Sequence, residues 1–214
     1  MNKILWLLLL WTTTAVAAPI LVNEYRLLPN FTPMMQCDNC RSFTAQNGVL
    51  QAKGTGHLWT KDVAYDVSDG TSKVVVEASV QLHTTEIKGA TVGAVLSIGF
   101  SENMKAWHPT DKMQDALTFN ITCDENAQEH TIVRTQMYRK PVGRSRYILP
   151  ANQWEKIKIV LSAKELVAYG SDNVELVKVD LSDVEFPKKG YVGILTSGFS
   201  RAPFDIKELK ISKE

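Results

Sequence analysis

Three sets of residues in this sequence have types and spacings that chemistry can use. Cys37-Asp38-Asn39-Cys40 has the two-residue spacing of a redox pair. Such a pair needs a strand before it and a helix opening behind it. Here Pro33-Met34-Met35 precedes it and Arg41-Ser42-Phe43 leads into Gln46-Asn47-Gly48, with no helical pattern. Arg41 stands where c-type haem attachment requires His, and no second CxxC completes a four-ligand zinc site. The three cysteines, Cys37, Cys40 and Cys123, therefore read as structural. A disulfide is expected, with its pairing open and one thiol left over.

The second set is Glu77, Gln81 and His83, which share parity on one alternating segment and line its polar face, so a cleft there would gather an acid, an amide and an imidazole. They are the weak catalytic candidates. The acidic cluster Glu175, Asp180, Asp183 and Glu185 reads instead as a solvated sheet edge. The third set is Asp62, Asp66 and Asp69, an acidic loop around Tyr65 and Gly70 that offers oxygen ligands to calcium without matching the twelve-residue calcium loop. Calcium is the one cofactor this sequence invites. His57, His83, His108 and His130 lack HxH or HExxH spacing and suggest no metal.

Ligand recognition by stacking would fall to aromatic residues placed beside polar ones. Trp59, at a strand end beside His57, and Trp107, in the loop Lys105-Ala106-Trp107-His108-Pro109, are the candidates, with Tyr138 beside them. Trp154 lies in a strongly strand-like run and is expected in the core. Arg134, Arg139, Lys140, Arg144 and Arg146 form a basic stretch around Pro141 and Gly143, read as an exposed hairpin that an acidic glycan or protein would suit. Arg134 and Tyr138 join Trp59 and Trp107 as expected ligand-binding residues.

These residues are carried by a chain of 214 residues with 24 Lys+Arg against 23 Asp+Glu and 44% hydrophobic residues. That length supports a core, and the balanced charge disfavours a nucleic-acid binder. Asn2-Lys3, the apolar run Ile4 to Trp11 and the small residues Ala15-Val16-Ala17-Ala18 have the layout of a secretory signal peptide. Cleavage after Ala17 is expected. No later segment approaches the ~20 apolar residues that span a bilayer. The organisation expected is a signal peptide over 1–17, an N-terminal extension over 18–40 and one domain over 41–214, in a secreted or periplasmic protein without an integral membrane span.

Within that domain, short strand-like runs recur between turn signals. Lys73 to Leu82 alternates, with Val74, Val76, Ala78, Val80 and Leu82 toward a core. Val49 to Ala52, Val92 to Phe100, Leu117 to Cys123, Arg134 to Tyr138 and Trp154 to Leu161 continue the pattern. Glu165 to Tyr169 and Val174 to Val179 flank Gly170-Ser171-Asp172-Asn173, which is hairpin chemistry. Tyr191 to Leu195 and Phe204 to Ile211 complete the series, the last with room for a bulge across Lys207-Glu208. No segment has twelve residues of helical periodicity. An all-β, two-layer antiparallel β-sandwich is expected.

The order of these segments resembles the concanavalin A-like lectin/glucanase group, including laminin-G-like jelly rolls. The pieces that carry the resemblance are Asn47-Gly48-Val49-Leu50, the strand Val74 to Leu82, Gln153 to Ile159, the Tyr169 to Val177 hairpin, Gly190 to Ile194 and Phe204 to Ile211. The resemblance implies curved sheets whose concave face or rim loops bind glycans. Retaining glucanases of the group carry Glu-x-Asp-x-x-Glu, which does not occur here. Related polysaccharide lyases use Gln, His, Tyr and Arg on a concave face, but their longer strings are missing. The reading is therefore a carbohydrate-binding, lectin-like module whose partner is a glycan or polysaccharide. A lyase or hydrolase is the alternative, and a structural or protein-interaction sandwich the third reading. The sequons Asn30-Phe31-Thr32 and Asn120-Ile121-Thr122 matter only if the chain passes through a glycosylating pathway.

Overall fold

The computed structural model describes residues 20–21, 31–33, 43–52, 56–83, 85–87, 90–92, 95–103, 116–123, 131–137, 140–146, 150, 152–196 and 204–214. The first strands are β1 (Ile20–Leu21), β2 (Phe31–Pro33), β3 (Phe43–Gln46), β4 (Val49–Ala52), β5 (Gly56–Thr60) and β6 (Tyr65–Asp66). The long strand β7 (Lys73–Leu82) is followed by β8 (Thr85–Ile87), β9 (Ala90–Val92), β10 (Val95–Ser101), β11 (Ala116–Cys123), β12 (Thr131–Met137) and β13 (Lys140–Arg146). Then come β14 (Trp154–Ser162), β15 (Glu165–Tyr169), β16 (Glu175–Asp180), β17 (Lys189–Thr196) and β18 (Phe204–Lys213). The only helical element among the described residues is a 3-10 turn at Ser171–Asn173 between β15 and β16, where Asp172 and Asn173 take positive φ. That is the expected hairpin, closed by residues that tolerate the left-handed region.

Two eight-stranded antiparallel sheets form the sandwich. Sheet I has the order β16-β15-β14-β7-β18-β4-β3, with β1 added on β18. Sheet II has the order β13-β12-β11-β10-β17-β5-β2, with β6 added on β17. The strands β8 and β9 pair separately. The boundaries of β4, β7 and β15 fall where alternation places them, and the bulge expected in β18 occurs between Lys207 and Lys210, with Glu208 at φ 56°. The stretch expected as an N-terminal extension contributes β1 to sheet I and β2 to sheet II.

The basic stretch from Arg134 to Arg146, read as a hairpin, is the antiparallel pair β12–β13, and its second half, Lys140–Arg146, is the strand β13. Pro is tolerated there because β13 is the edge of sheet II and the missing N–H leaves no ladder bond broken on the open side. Gly143 is required by packing: a Cβ on it would lie 2.2 Å from Cγ2 of Val179 in β16.

The core between the sheets is built by the alternate residues of each long strand. Val74, Val76, Val80, Ile157, Ile159, Leu161, Ile206 and Ile211 from sheet I meet Leu96, Ile98, Phe100, Leu117, Phe119, Ile121 and Ile194 from sheet II. Burying each Leu, Ile or Phe contributes on the order of 1.5–3 kcal/mol before chain entropy is subtracted. Tyr65 enters this core with its ring edge-on to Phe100 at 5.5 Å and its hydroxyl donating to the Pro187 carbonyl at 3.1 Å. Burial, helped by Glu102, holds its phenol well above the usual range. Among the described residues no helix is long and apolar enough to cross a membrane.

Candidate functional site

Parity that sends Leu96, Ile98, Phe119 and Ile121 into the core sends Ser97, Gly99, Thr118 and Asn120 to the outward face of sheet II. Register joins them into rows. His57, Leu195, Ser97, Asn120, Arg134 and Arg144 occupy successive facing positions on β5, β17, β10, β11, β12 and β13. The next row runs Trp59, Gly193, Gly99, Thr118 and Gln136. Among the described residues no second sheet packs on this face, yet Asn120 is only 8% exposed, and Ser97 and Thr118 are buried with it. They satisfy one another: the Ser97 hydroxyl donates to Oδ1 of Asn120, and Nδ2 of Asn120 donates to Oγ1 of Thr118 at 3.1 Å. Pairing is what makes buried polar groups tolerable, and it also fixes their orientation. No sequence signal singled out Asn120 or Ser97, because alternation marks a residue as outward but not as sequestered.

Trp59 does not present a ring to solvent as expected; it is 0% exposed. The reason lies in its row. A Cβ on Gly193 would fall 2.5 Å from the Trp59 ring, and one on Gly99 would fall 3.1 Å from it, so the indole lies across two facing glycines and packs with Leu195 and Ala116. Its Nε1 is buried with no hydrogen-bond partner among the described residues. Trp59 is therefore a buried brace laid over Gly193 and Gly99, in the row beside Ser97 and Asn120.

The outward face of sheet I is the opposite case. Trp154, expected in the core, has the parity of Lys156 and Lys158, stands opposite Gln81 and is 37% exposed. The Lys207 ammonium lies 4.2 Å above its ring. Glu77, Gln81 and His83 lie along this face, but Glu77 and Gln81 are four residues apart, about 13 Å along an extended strand. They do not form one constellation. Glu77 faces Lys158 on one side and Lys210 on the other. Gln81 donates to the Asn152 carbonyl at 2.8 Å. His83 Nε2 lies 3.1 Å from Oδ2 of Asp205, whose Oδ1 is buried without a partner among the described residues.

Asp62, Asp66 and Asp69 do not converge on a cation, and no group of three or more acidic, His or Cys side chains does so among the described residues. Their oxygens serve the backbone. Oδ1 of Asp66 accepts from the Ser68 amide and hydroxyl, and its Oδ2 pairs with Lys189 at 3.1 Å. Asp69 accepts from the amides of Thr71 and Ser72 and from the Ser72 hydroxyl. The hydrogen bonds from Ser68 and from Ser72 hold these carboxyls down at about 2. Among the described residues there is no disulfide; Cys123 ends β11. Cys37, Cys40, Trp107, Tyr138, His108, His130, Asn30 and the signal segment 1–17 lie outside the described residues. The sequon at Asn120 is spent on the polar row, and a glycan attached there would break it.

No protein-family model and no curated protein matches this sequence. Solved structures do match its fold. A lectin from Bauhinia forficata in complex with GalNAc superposes with a TM-score of 0.66 at 12% identity, covering 92% of this chain and 97% of the lectin. A carbohydrate binding module from Bacillus subtilis gives 0.56 at 9% identity over 86% of this chain and 95% of the module. A provisionally assigned glycosyl hydrolase from Parabacteroides distasonis gives 0.59 at 15% identity over 89% and 96%. The chain has the concanavalin A-like jelly-roll fold.

Proposed function

We propose that this concanavalin A-like sandwich is an exported carbohydrate-binding module that holds a glycan on the outward face of sheet II. One observation carries the reading: Ser97, Asn120 and Thr118 form a buried, hydrogen-bonded cluster across two rows of a face that, among the described residues, no second sheet covers. Sequestered polar groups whose directions are set by their neighbours suit a ligand rich in hydroxyls, because each hydroxyl both donates and accepts and the protein groups lose little freedom on binding. Nε1 of Trp59, in the row of Thr118, is a further buried donor on the same side of the sheet, with no hydrogen-bond partner among the described residues. The lectin complexed with GalNAc and the carbohydrate binding module share this architecture, which supports the class of ligand. Export rests on the amino-terminal segment with its basic start, apolar run and small residues before Pro19.

The test is a glycan array on the mature protein, with and without calcium, with every bound polysaccharide followed for new chain ends. Binding without products, weakened roughly tenfold or more in Asn120→Ala, is expected. New chain ends would convert the reading to an enzyme. Silence across neutral and acidic glycans would overturn it in favour of a structural or protein-binding sandwich.

A further inference from the structure

We propose that the outward face of sheet I carries a second binding surface, a lysine-framed strip across β18, β7 and β14 that takes an acidic polysaccharide. Register places the lysines. Lys158 and Lys210 face Glu77 from either side, and Lys156 and Lys207 face Ser79 from either side. Their chain neighbours Ile157, Ile159, Ala78, Val80, Ile206, Leu209 and Ile211 enter the core, so both rows point away from it. All four lysines are exposed or half-buried. At the backbone, the lysines of a row stand two strand spacings apart, about 9–10 Å, and the rows are about 7 Å apart along β7 and β14.

Charge within this frame is not balanced. Lys178 pairs with Glu165 at 3.0 Å and Lys189 with Asp66 at 3.1 Å, whereas Lys156, Lys158, Lys207 and Lys210 make no ion pair among the described residues. The acids inside the frame are Glu77 and Glu208, and Oε2 of Glu208 accepts from the Ser79 hydroxyl at 2.8 Å. A chain with a formal net charge of +1 thus sets four lysines against two acids in one patch. At the end of the strip stands Trp154, 37% exposed, with the Lys207 ammonium 4.2 Å from its ring centroid.

The surroundings select the shape of the partner. Glu165, Glu175 and Asp180 lie beside the strip on β15 and β16, and Asp205 lies beyond Lys207 on β18. A broad anionic surface would press on those acids, while a narrow anionic chain meets the lysines and avoids them. The exposed indole favours a sugar chain over an acidic polypeptide, because a pyranose ring offers an apolar C–H face to stack on it and a carboxylate arm offers none. Lysine ammoniums are point charges on flexible stems, so the attraction follows charge number and salt and does not distinguish carboxylate from sulfate.

The experiment is calorimetric titration of the full mature chain with dextran sulfate oligomers and with uncharged dextran of the same length. Polyglutamate of matched charge and vesicles of anionic lipid are run beside them. Dextran sulfate should bind about tenfold or more tightly than dextran and lose that advantage as salt rises. Replacing Lys156→Gln together with Lys158→Gln, or Lys207→Gln together with Lys210→Gln, should weaken it about threefold or more, and Glu77→Gln should tighten it about twofold. A damaged fold does not tighten binding, so Glu77→Gln decides the matter where a lysine variant fails to fold. Asn120→Ala should leave dextran sulfate binding unchanged, which separates this strip from the surface on sheet II. Equal binding of dextran sulfate and dextran, or no response to the lysine and Glu77 replacements, overturns the proposal and leaves the sheet II reading standing. Polyglutamate or anionic vesicles binding as tightly as dextran sulfate overturns the choice of a polysaccharide.

Discussion

Lys156, Trp154 and Glu77 on sheet I stand in water, while Ser97, Thr118 and Asn120 on sheet II are buried, although both sets face away from the core. The difference begins with side-chain size. On sheet I, Lys156, Lys158, Lys207 and Lys210 put long charged chains on the outward face around buried Val75 and Ser79, and the one exposed indole lies under a lysine. On sheet II the centre of the outward face is made of Gly, Ser, Thr, Ala and Asn with Leu195 among them, so a single indole can lie across the glycines of two strands. One face therefore gains solubility from its charges, and the other gains a fixed array of polar atoms. Recognition of uncharged hydroxyls needs the second property, because atoms already held in place lose little freedom when a ligand arrives.

The sharpest way to break this comparison is to truncate the two tryptophans. Trp59→Ala should cost about 3–5 kcal/mol in a denaturant titration, as expected for a fully buried indole. Trp154→Ala should lose only about 0.5–1 kcal/mol, the size of an exposed cation–π contact. Equal losses would mean that the two faces are not packed differently. Gly193→Ala should cost about 1–3 kcal/mol, since the new methyl meets the Trp59 ring, and that cost should shrink when Trp59 is first replaced by Leu. Additive effects would sink the proposed stacking. Asn120→Ala should cost about 1–3 kcal/mol by leaving Ser97 and Thr118 short of a partner, in contrast to an exposed outward residue such as Glu77, whose replacement by Gln should move the melting midpoint little.

The smallest effect belongs to the turn at 66–72, which lies on neither face. The folded-state carboxyl of Asp69 is lowered from 3.8 to about 2 by the Ser72 and Thr71 hydrogen bonds. A lowered folded value means that its contribution is present above pH ~4 and is lost as pH falls toward 2. Asp69→Asn should flatten that part of the stability profile and leave the profile above pH 5 unchanged in shape; an unaltered acid limb would remove Asp69 from the account.

Much of this fold is legible in the residues themselves. The alternation of Lys73 to Leu82 places Glu77, Gln81 and His83 on one face, and the turn Gly170 to Asn173 is chosen by residues that accept positive φ. Where reading along the chain misplaces a residue, the deciding partner is far away in sequence. Trp154 was expected inside because it begins an apolar run, yet its parity follows Lys156 and Lys158. Trp59 was expected outside because it ends a strand near a loop, but glycines from β10 and β17 make room for it. Lys140–Arg146 carries a Pro and a Gly that normally break strands, and it forms one because it lies at an edge and crosses close to Val179.

By itself, then, the sequence determined the class of architecture, the position of most strands and the turn chemistry between them, because alternation and backbone preference act over a few neighbouring residues. Only the tertiary structure decided which outward face is sequestered, which tryptophan is a brace, and that Arg134 and Arg144 stand opposite each other beside Asn120. Those facts depend on register between strands, which is set by hydrogen bonds and packing between segments far apart in the chain, and a period of two within one strand carries no record of it.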